Sequence, residues 1–251
     1  MRVSGLVLLV CALSACSKTL PARWQEPTTG MVFALLPAGQ FVAGSPTTET
    51  GHQADEVLYP VQIARSLYMA THEVTEREWA VVMTPGVAVD PAAANLPVVN
   101  ITWHEARLYL DRLNEGKPWR LRLPSETEWE YACRAGTTTP YSTGSVLSTS
   151  EANYNGDFPL PGQPNGQNRG RVTPVESFPP NAFGLFDMHG NVWEWTNDGY
   201  DEARKVIRGG SWRFNADSAR CAVRYHHRPR DRGDSLGFRI VRDVTREEAD
   251  E

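Results

Sequence analysis

The stretch "FPPNAFGLFDMHGNVWEWTND", residues 178–198, opens as irregular chain and closes as a strand. Pro179, Pro180, Asn181 and Gly184 are turn residues, each for its own backbone reason. From Asn191 the pattern changes. Trp193 and Trp195 lie two apart, so an extended backbone puts both rings on one face, and two tryptophans so placed are read first as core. Working outward, regular periodicity is missing from about Gly136 to Phe178. Within that span "NYNGDFPLPGQPNGQNRGRVTP", residues 153–174, is dense in Asn, Gly and Pro and reads as long loop. Loops of that length in a compact domain are functional, ion-held or disordered. Downstream, "KVIRGGSW", "CAVRYH" and "GFRIVRD" are further short strand-like pieces, with Gly209 and Gly210 providing a turn or close packing.

Upstream the chain is more regular. "MVFALLPAGQFVAGS", residues 31–45, reads as a hairpin about Gly39, and "LYPVQIARSLYMATHEVT", residues 58–75, as a second strand pair. Three helix starts follow. Thr75, Thr102 and Ser125 each stand three residues before a glutamate (Glu78, Glu105, Glu128), the reciprocal capping arrangement. Apolar residues then recur at helical spacing, as with Ala106, Leu110 and Leu113. No internal repeat and no second domain boundary is visible, so the expectation is a single α+β domain.

Composition bounds the function. With 41% hydrophobic and 22% charged residues the chain is an ordinary globular protein, and a net charge of −5 leaves no electrostatic footprint for nucleic acid. At the N-terminus, Arg2, the apolar run "GLVLLVCAL" and Leu13-Ser14-Ala15-Cys16 read as a lipoprotein signal over residues 1–15, with Cys16 lipidated. Residues 16–29 would be the tether, and residues 244–251, ending in "REEADE", a solvated acidic tail. The expected location is the bacterial cell envelope, facing the periplasm, with Ser17 favouring the outer membrane. Cys133 and Cys221 then remain as an even pair in an oxidising space, where a structural bridge is favoured over a reactive thiol.

In order, the chain carries "GMVFALLPAGQFVAGS", "YMATHEVTEREWA", "RLPSETEWEYACRAG", "FPPNAFGLFDMHGNVWEWTND", "RGGSW" and "GFR". Together these resemble the formylglycine-generating-enzyme, or sulfatase-modifying-factor, domain family over about residues 30–243. The resemblance implies an α+β fold of the C-type-lectin-like kind, with little regular secondary structure and long calcium-held loops. It implies a bridge between Cys133 and Cys221. It also implies a calcium site at Asp187, the carbonyls of Gly190 and Val192, and Glu194, and a second, weaker one at Asn153 and Tyr154; oxygen-only ligands suit Ca²⁺. The family's oxidase binds Cu(I) through two cysteines just after its GGS motif. Those positions correspond to Phe214 and Ala219, neither of which is a soft ligand, so no copper is expected.

The surface corresponding to the family's active site is expected near Trp212, Arg213, Phe214, Asn215, Arg224 and Tyr225. Two functions follow as expectations. The first is a non-catalytic module binding an envelope protein, peptide or glycan. The second is a maturation enzyme of the pyoverdine-maturation type, with His226, His227, Arg224 and Tyr225 as candidate catalytic residues. His226 and His227 are adjacent and point to opposite faces of a strand, so they serve one metal only if the fold brings His104 to one of them. The arginines at 213, 224, 228, 230 and 232 make the region basic; salt bridges with Asp217, Asp231 and Asp234 are the alternative reading.

Overall fold

A computed structural model describes residues 20–245 and residue 248; the signal sequence and Cys16 lie outside them. The elements run β1 (Arg23–Gln25), β2 (Val32–Leu36), β3 (Gly39–Ala43), β4 (Tyr59–Ile63), β5 (Leu67–Ala70), α1 (Glu76–Met83), α2 (Trp103–Asn114), β6 (Leu121–Arg122) and α3 (Glu126–Arg134). After a long irregular span come β7 (Trp193–Gly199), β8 (Lys205–Arg208), a 3-10 turn (Ala216–Ala219), β9 (Tyr225–His227), β10 (Leu236–Gly237) and β11 (Val241–Asp243). Three short helices and small sheets give the expected α+β architecture. Among the described residues no helix is long and apolar enough to cross a membrane.

All three anticipated capping boxes form, at Thr75, Thr102 and Ser125. In each, the hydroxyl accepts the N–H of the glutamate three residues on, and that glutamate accepts the cap residue's own N–H. Two backbone donors with no helical partner are thereby satisfied at once.

The anticipated hairpins do not form. β2 pairs with β1 and β5 in a five-stranded sheet ordered β1-β2-β5-β11-β6, whereas β3 pairs with β4 in a sheet of two. Both edges of β2 are taken, by β1 and β5, so β3 finds its partner in β4; at the corner between β2 and β3 the Tyr131 hydroxyl of α3 donates to the carbonyl of Pro37 at 3.1 Å. β4 and β5 likewise part into different sheets. A third sheet, β10-β7-β8-β9, carries the strand read from "NVWEWTND".

The ends also differ from expectation. The folded part begins before residue 30. β1 is a strand of the large sheet, Trp24 packs edge-on against Phe33 and Trp119, and Glu26 is fully buried, its carboxylate accepting N–H bonds from Thr28 and Thr29. The large aromatic surface of Trp24 is what draws this segment onto the sheet. At the other end, Thr245 caps a turn with Glu248, whose carboxylate pairs with Arg242, so this part of the tail is held.

The buried apolar residues form three clusters. One gathers Tyr109, Leu110, Trp193, Trp195 and Phe238 between α2 and the strands, a second holds Trp129, Cys133, Met188 and Cys221 under α3, and a third holds Tyr141, Leu147, Tyr154 and Leu160 with Ala216 and Ala219. Trp193 and Trp195 do share a face and are both buried.

Candidate functional site

Cys133 and Cys221 form a disulfide across 88 residues of sequence, joining α3 to the segment before β9. His189 lies against it, its Nδ1 3.9 Å from Cys133 Sγ. Among the described residues these three form the one group of histidine, cysteine or acid side chains within metal-ligating reach of one another. Their chemistry is structural. Both sulfurs are in the disulfide, and His189 Nε2 accepts the Ser142 N–H at 3.0 Å, which leaves Nδ1–H to donate to the Ala219 carbonyl at 2.8 Å. Burial lowers the His189 pKa to about 4, so the ring stays neutral.

The irregular segment 135–192 brings one residue of each anticipated calcium site, Asn153 and Gly190, against the other. Gly190 has a positive φ of +88° and sits so close to the Asn153 carbonyl that a Cβ there would be 2.3 Å from it. Only glycine fits. This contact brings Asn153, assigned above to a second site, beside the first. Asn153 Nδ2 donates to Asn191 Oδ1, to Thr173 Oγ1 and to the Arg171 carbonyl, whereas its Oδ1 is buried with no donor. The Tyr154 hydroxyl donates to the Leu147 carbonyl, a side-chain bond that does not involve the main-chain carbonyl expected as a ligand there.

The carboxylates divide into two kinds. Glu194 is committed: both oxygens accept from fully buried Arg239, and Oε2 also accepts Trp129 Nε1 at 2.6 Å. It is thereby the ion-pair partner of Arg239 in this structure. Asp187 is less satisfied. It is 7% exposed, with a φ of +56°; Oδ2 accepts the Glu176 N–H, and Oδ1 meets no donor. Sequence reasoning missed Glu73, whose Oε1 accepts from Asn191 Nδ2 and whose Oε2 is likewise buried without a donor. Burial lifts the Asp187 carboxyl to about 6, and burial together with the charge of Asp187 raises Glu73 well above the carboxylate range. Arg239 pairs with Glu194 alone; Asp187 and Glu73 feel its charge without bonding to it, and orphaned oxygens stand on Asp187, Glu73 and Asn153. That donor set fits a hard, oxygen-loving cation. The one available signal for Glu73 was its position in "YMATHEVT", and nothing in the sequence brings that segment to residue 187.

The expected binding surface is split by the strand period. Tyr225, 42% exposed, stacks on Trp193 with ring centroids 5.5 Å apart, and Phe214, 36% exposed, meets Trp193 edge-on at 5.5 Å. The Nε1–H of Trp193 is buried with no acceptor. Trp212 borders Arg213, whose guanidinium lies over its ring and pairs with Asp234. Arg224 belongs elsewhere. It binds Glu126 and faces Asp55 and the Tyr200 ring. Adjacent residues in extended chain face opposite ways, which takes Arg224 out of the surface that Tyr225 joins, whereas the His226 ring bridges the two, meeting Tyr200 at 4.3 Å and stacking on Tyr225 at 5.4 Å between centroids. Asn215 is spent as the N-cap of the 3-10 turn, and Ala219 is fully buried. His227 lies near Trp195 and Asp231; His104 is exposed on α2 and does not converge with His226 and His227.

The basic stretch is largely neutralised. Arg213 pairs with Asp234, Arg224 with Glu126 and Arg232 with Glu105, so of the expected partners Asp234 takes Arg213 and Asp231 faces His227. Asp217 pairs with none of these arginines.

Known proteins can be set beside this geometry. The sulfatase-modifying factor enzyme 1-like domain matches residues 17–244. The inactive C-alpha-formylglycine-generating enzyme 2 of Bos taurus is 39% identical over 157 residues, 58% of this chain and 50% of that protein. The formylglycine-generating enzyme of Mus musculus is 32% identical over 174 residues, 60% of this chain and 45% of that one. The chain thus spans about half the length of these curated relatives. The solved structure of PvdO from Pseudomonas aeruginosa superposes with a TM-score of 0.76 at 29% identity, covering 90% of this chain and all of that one.

Proposed function

The chain belongs to the sulfatase-modifying factor enzyme 1-like domain family, and from that premise we propose that it is a lipid-anchored envelope module that binds a partner rather than oxidising a cysteine. The observation that carries this reading is the aromatic surface of Phe214 and Tyr225 over Trp193, standing where the family resemblance puts a copper-binding cysteine. Phe214 offers no ligand, Ala219 is buried, and the two described cysteines are joined to each other. Exposed aromatic rings on a rigid base suit recognition, because they bury much area for little lost rotamer freedom. The occupant is an envelope protein, peptide or glycan.

Calcium belongs to this reading as a structural ion. Asp187 and Glu73, with the Asn153 amide oxygen and the Gly190 carbonyl at hand, would hold it, and its charge would offset the buried carboxylates. Bound there, it would tie the long loop to the segment before α1. Lipidation of Cys16 would place the domain at the periplasmic face of the outer membrane, on a tether of only a few residues before β1.

A second reading is favoured by the end-to-end similarity to PvdO: an oxidoreductase or maturation enzyme using Tyr225, His226, His227 or Arg224. One preparation separates the two. The full chain is extracted from membranes without chelator, and its metals and intact mass are measured. Calcium, an acyl-modified N-terminus and the disulfide support the binding module. Stoichiometric copper or iron overturns it in favour of the enzyme.

A further inference from the structure

A cavity of about 390 Å³, separate from the aromatic surface, lies between the loop after β3 and the segments around residues 138–146 and 160–163. Its walls are aliphatic, from Pro140, Val146, Leu160 and Pro161. Tyr141 forms part of the floor; it is fully buried and donates to the Ala216 carbonyl, so it offers no open ring face for a sugar to stack on. The polar end is built from Glu49 and Arg220. Glu49 is 94% buried by side chain, its exposure being 6%, and its Oε1 accepts from Arg220 Nη1 at 2.7 Å. Among the described residues no donor reaches Glu49 Oε2, and that oxygen is not sealed among the buried orphaned atoms, so it opens to the cavity.

Charge is not balanced there. Arg220 also binds both oxygens of Glu56, and Asp217 Oδ1 lies near Arg220 Nε without pairing to it. Two carboxylates, Glu49 in the cavity wall and Glu56 behind it, therefore share one guanidinium, with His52 Nδ1 4.0 Å from Glu56 on the far side. A buried acceptor with excess negative charge gains most from a cationic donor. Thr48, Thr139 and Ser145 add hydroxyl oxygens that can accept from the same donor.

We propose that this cavity binds a primary ammonium group on an aliphatic stem, the ammonium on Glu49 and the stem along Pro140, Val146 and Leu160. The chemistry is common to a small alkylamine and to a lysyl side chain of a peptide. Flexible methylene stems lie well on such walls while the charged head finds its partner.

The experiment is calorimetric titration of the full chain with n-pentylamine, with 1-pentanol as the uncharged match and with Nα-acetyl-lysine N-methylamide. The amine should bind at least about tenfold more tightly than the alcohol. Glu49→Gln, which keeps a carbonyl for Arg220, should erase that preference, and Val146→Trp at the exposed mouth should block both. Binding of the lysine derivative as well assigns the site to a peptide; binding of the free amine alone assigns it to small amines. Equal affinity for alcohol and amine, no binding of either, or an unchanged preference in Glu49→Gln overturns the proposal. None of these results bears on the aromatic surface, whose occupant is measured separately.

Discussion

Single residues decide what the surfaces of this protein can do. Phe214 and Tyr225 are exposed large apolar side chains that rest on a buried tryptophan, and removing them leaves the base intact. If the proposed partner binds on these rings, the double variant Phe214→Ala, Tyr225→Ala is expected to lose more than about tenfold in affinity for it while its thermal midpoint falls by only a few degrees, a split that calorimetry and binding measured together will check. Asp187 makes the opposite case. Its Oδ1 has no donor, so if calcium fills that place, a chelator should lower the wild-type melting temperature, and Asp187→Asn should make the protein insensitive to chelator. An unchanged wild-type midpoint with excess EGTA would remove calcium from the account.

Elements show where local rules suffice. The capping residues form the bonds their spacing dictates, and Thr102→Ala, which strips one box from α2, should cost about 1 kcal/mol in urea unfolding. The loop between β3 and β4 obeys no such local rule. It is held from far along the chain by Arg220, which binds Glu49, Glu56 and the Gly51 carbonyl. Burial pushes the Glu56 carboxyl up, but hydrogen bonds from Arg220 and Ser45 outweigh it and leave it below its ordinary 4.5. A carboxyl lowered in the folded state binds fewer protons there than when unfolded. Its contribution is therefore complete above pH 4.5 and lost as the pH falls through the lowered value. Glu56→Gln should be less stable than wild type at neutral pH, and the difference should shrink in acid; denaturant midpoints at several pH values below 6 or so test it.

At the scale of the whole molecule the bond between residues 133 and 221 matters most, because it closes a long loop that itself has little regular structure. In the chain-entropy description such a closure contributes about 4–5 kcal/mol, so Cys133→Ser with Cys221→Ser should drop the urea midpoint sharply or prevent folding at 37 °C. How much of this was legible beforehand depends on range. The α+β class, the three helix starts, the long irregular span and the pairing of Trp193 with Trp195 on one face were all readable, since each rests on spacing within a few residues. Sheet partners were not. β2 and β3 look like a hairpin in sequence, but β2 takes β1 and β5 as partners and β3 takes β4. The site was legible in the same uneven way. Asp187 and the aromatic positions were named from the motif, but Glu73 was missed and the pairing of Glu194 with Arg239 was not foreseen. What claims Glu194 is Arg239, and what brings Glu73 to Asn191 is the packing of two segments 118 residues apart. The sequence by itself determined the local elements and the residue types available for function. Only the tertiary structure decided which oxygens are spent on arginine and which remain open, because desolvation and pairing in a buried site are properties of neighbours in space.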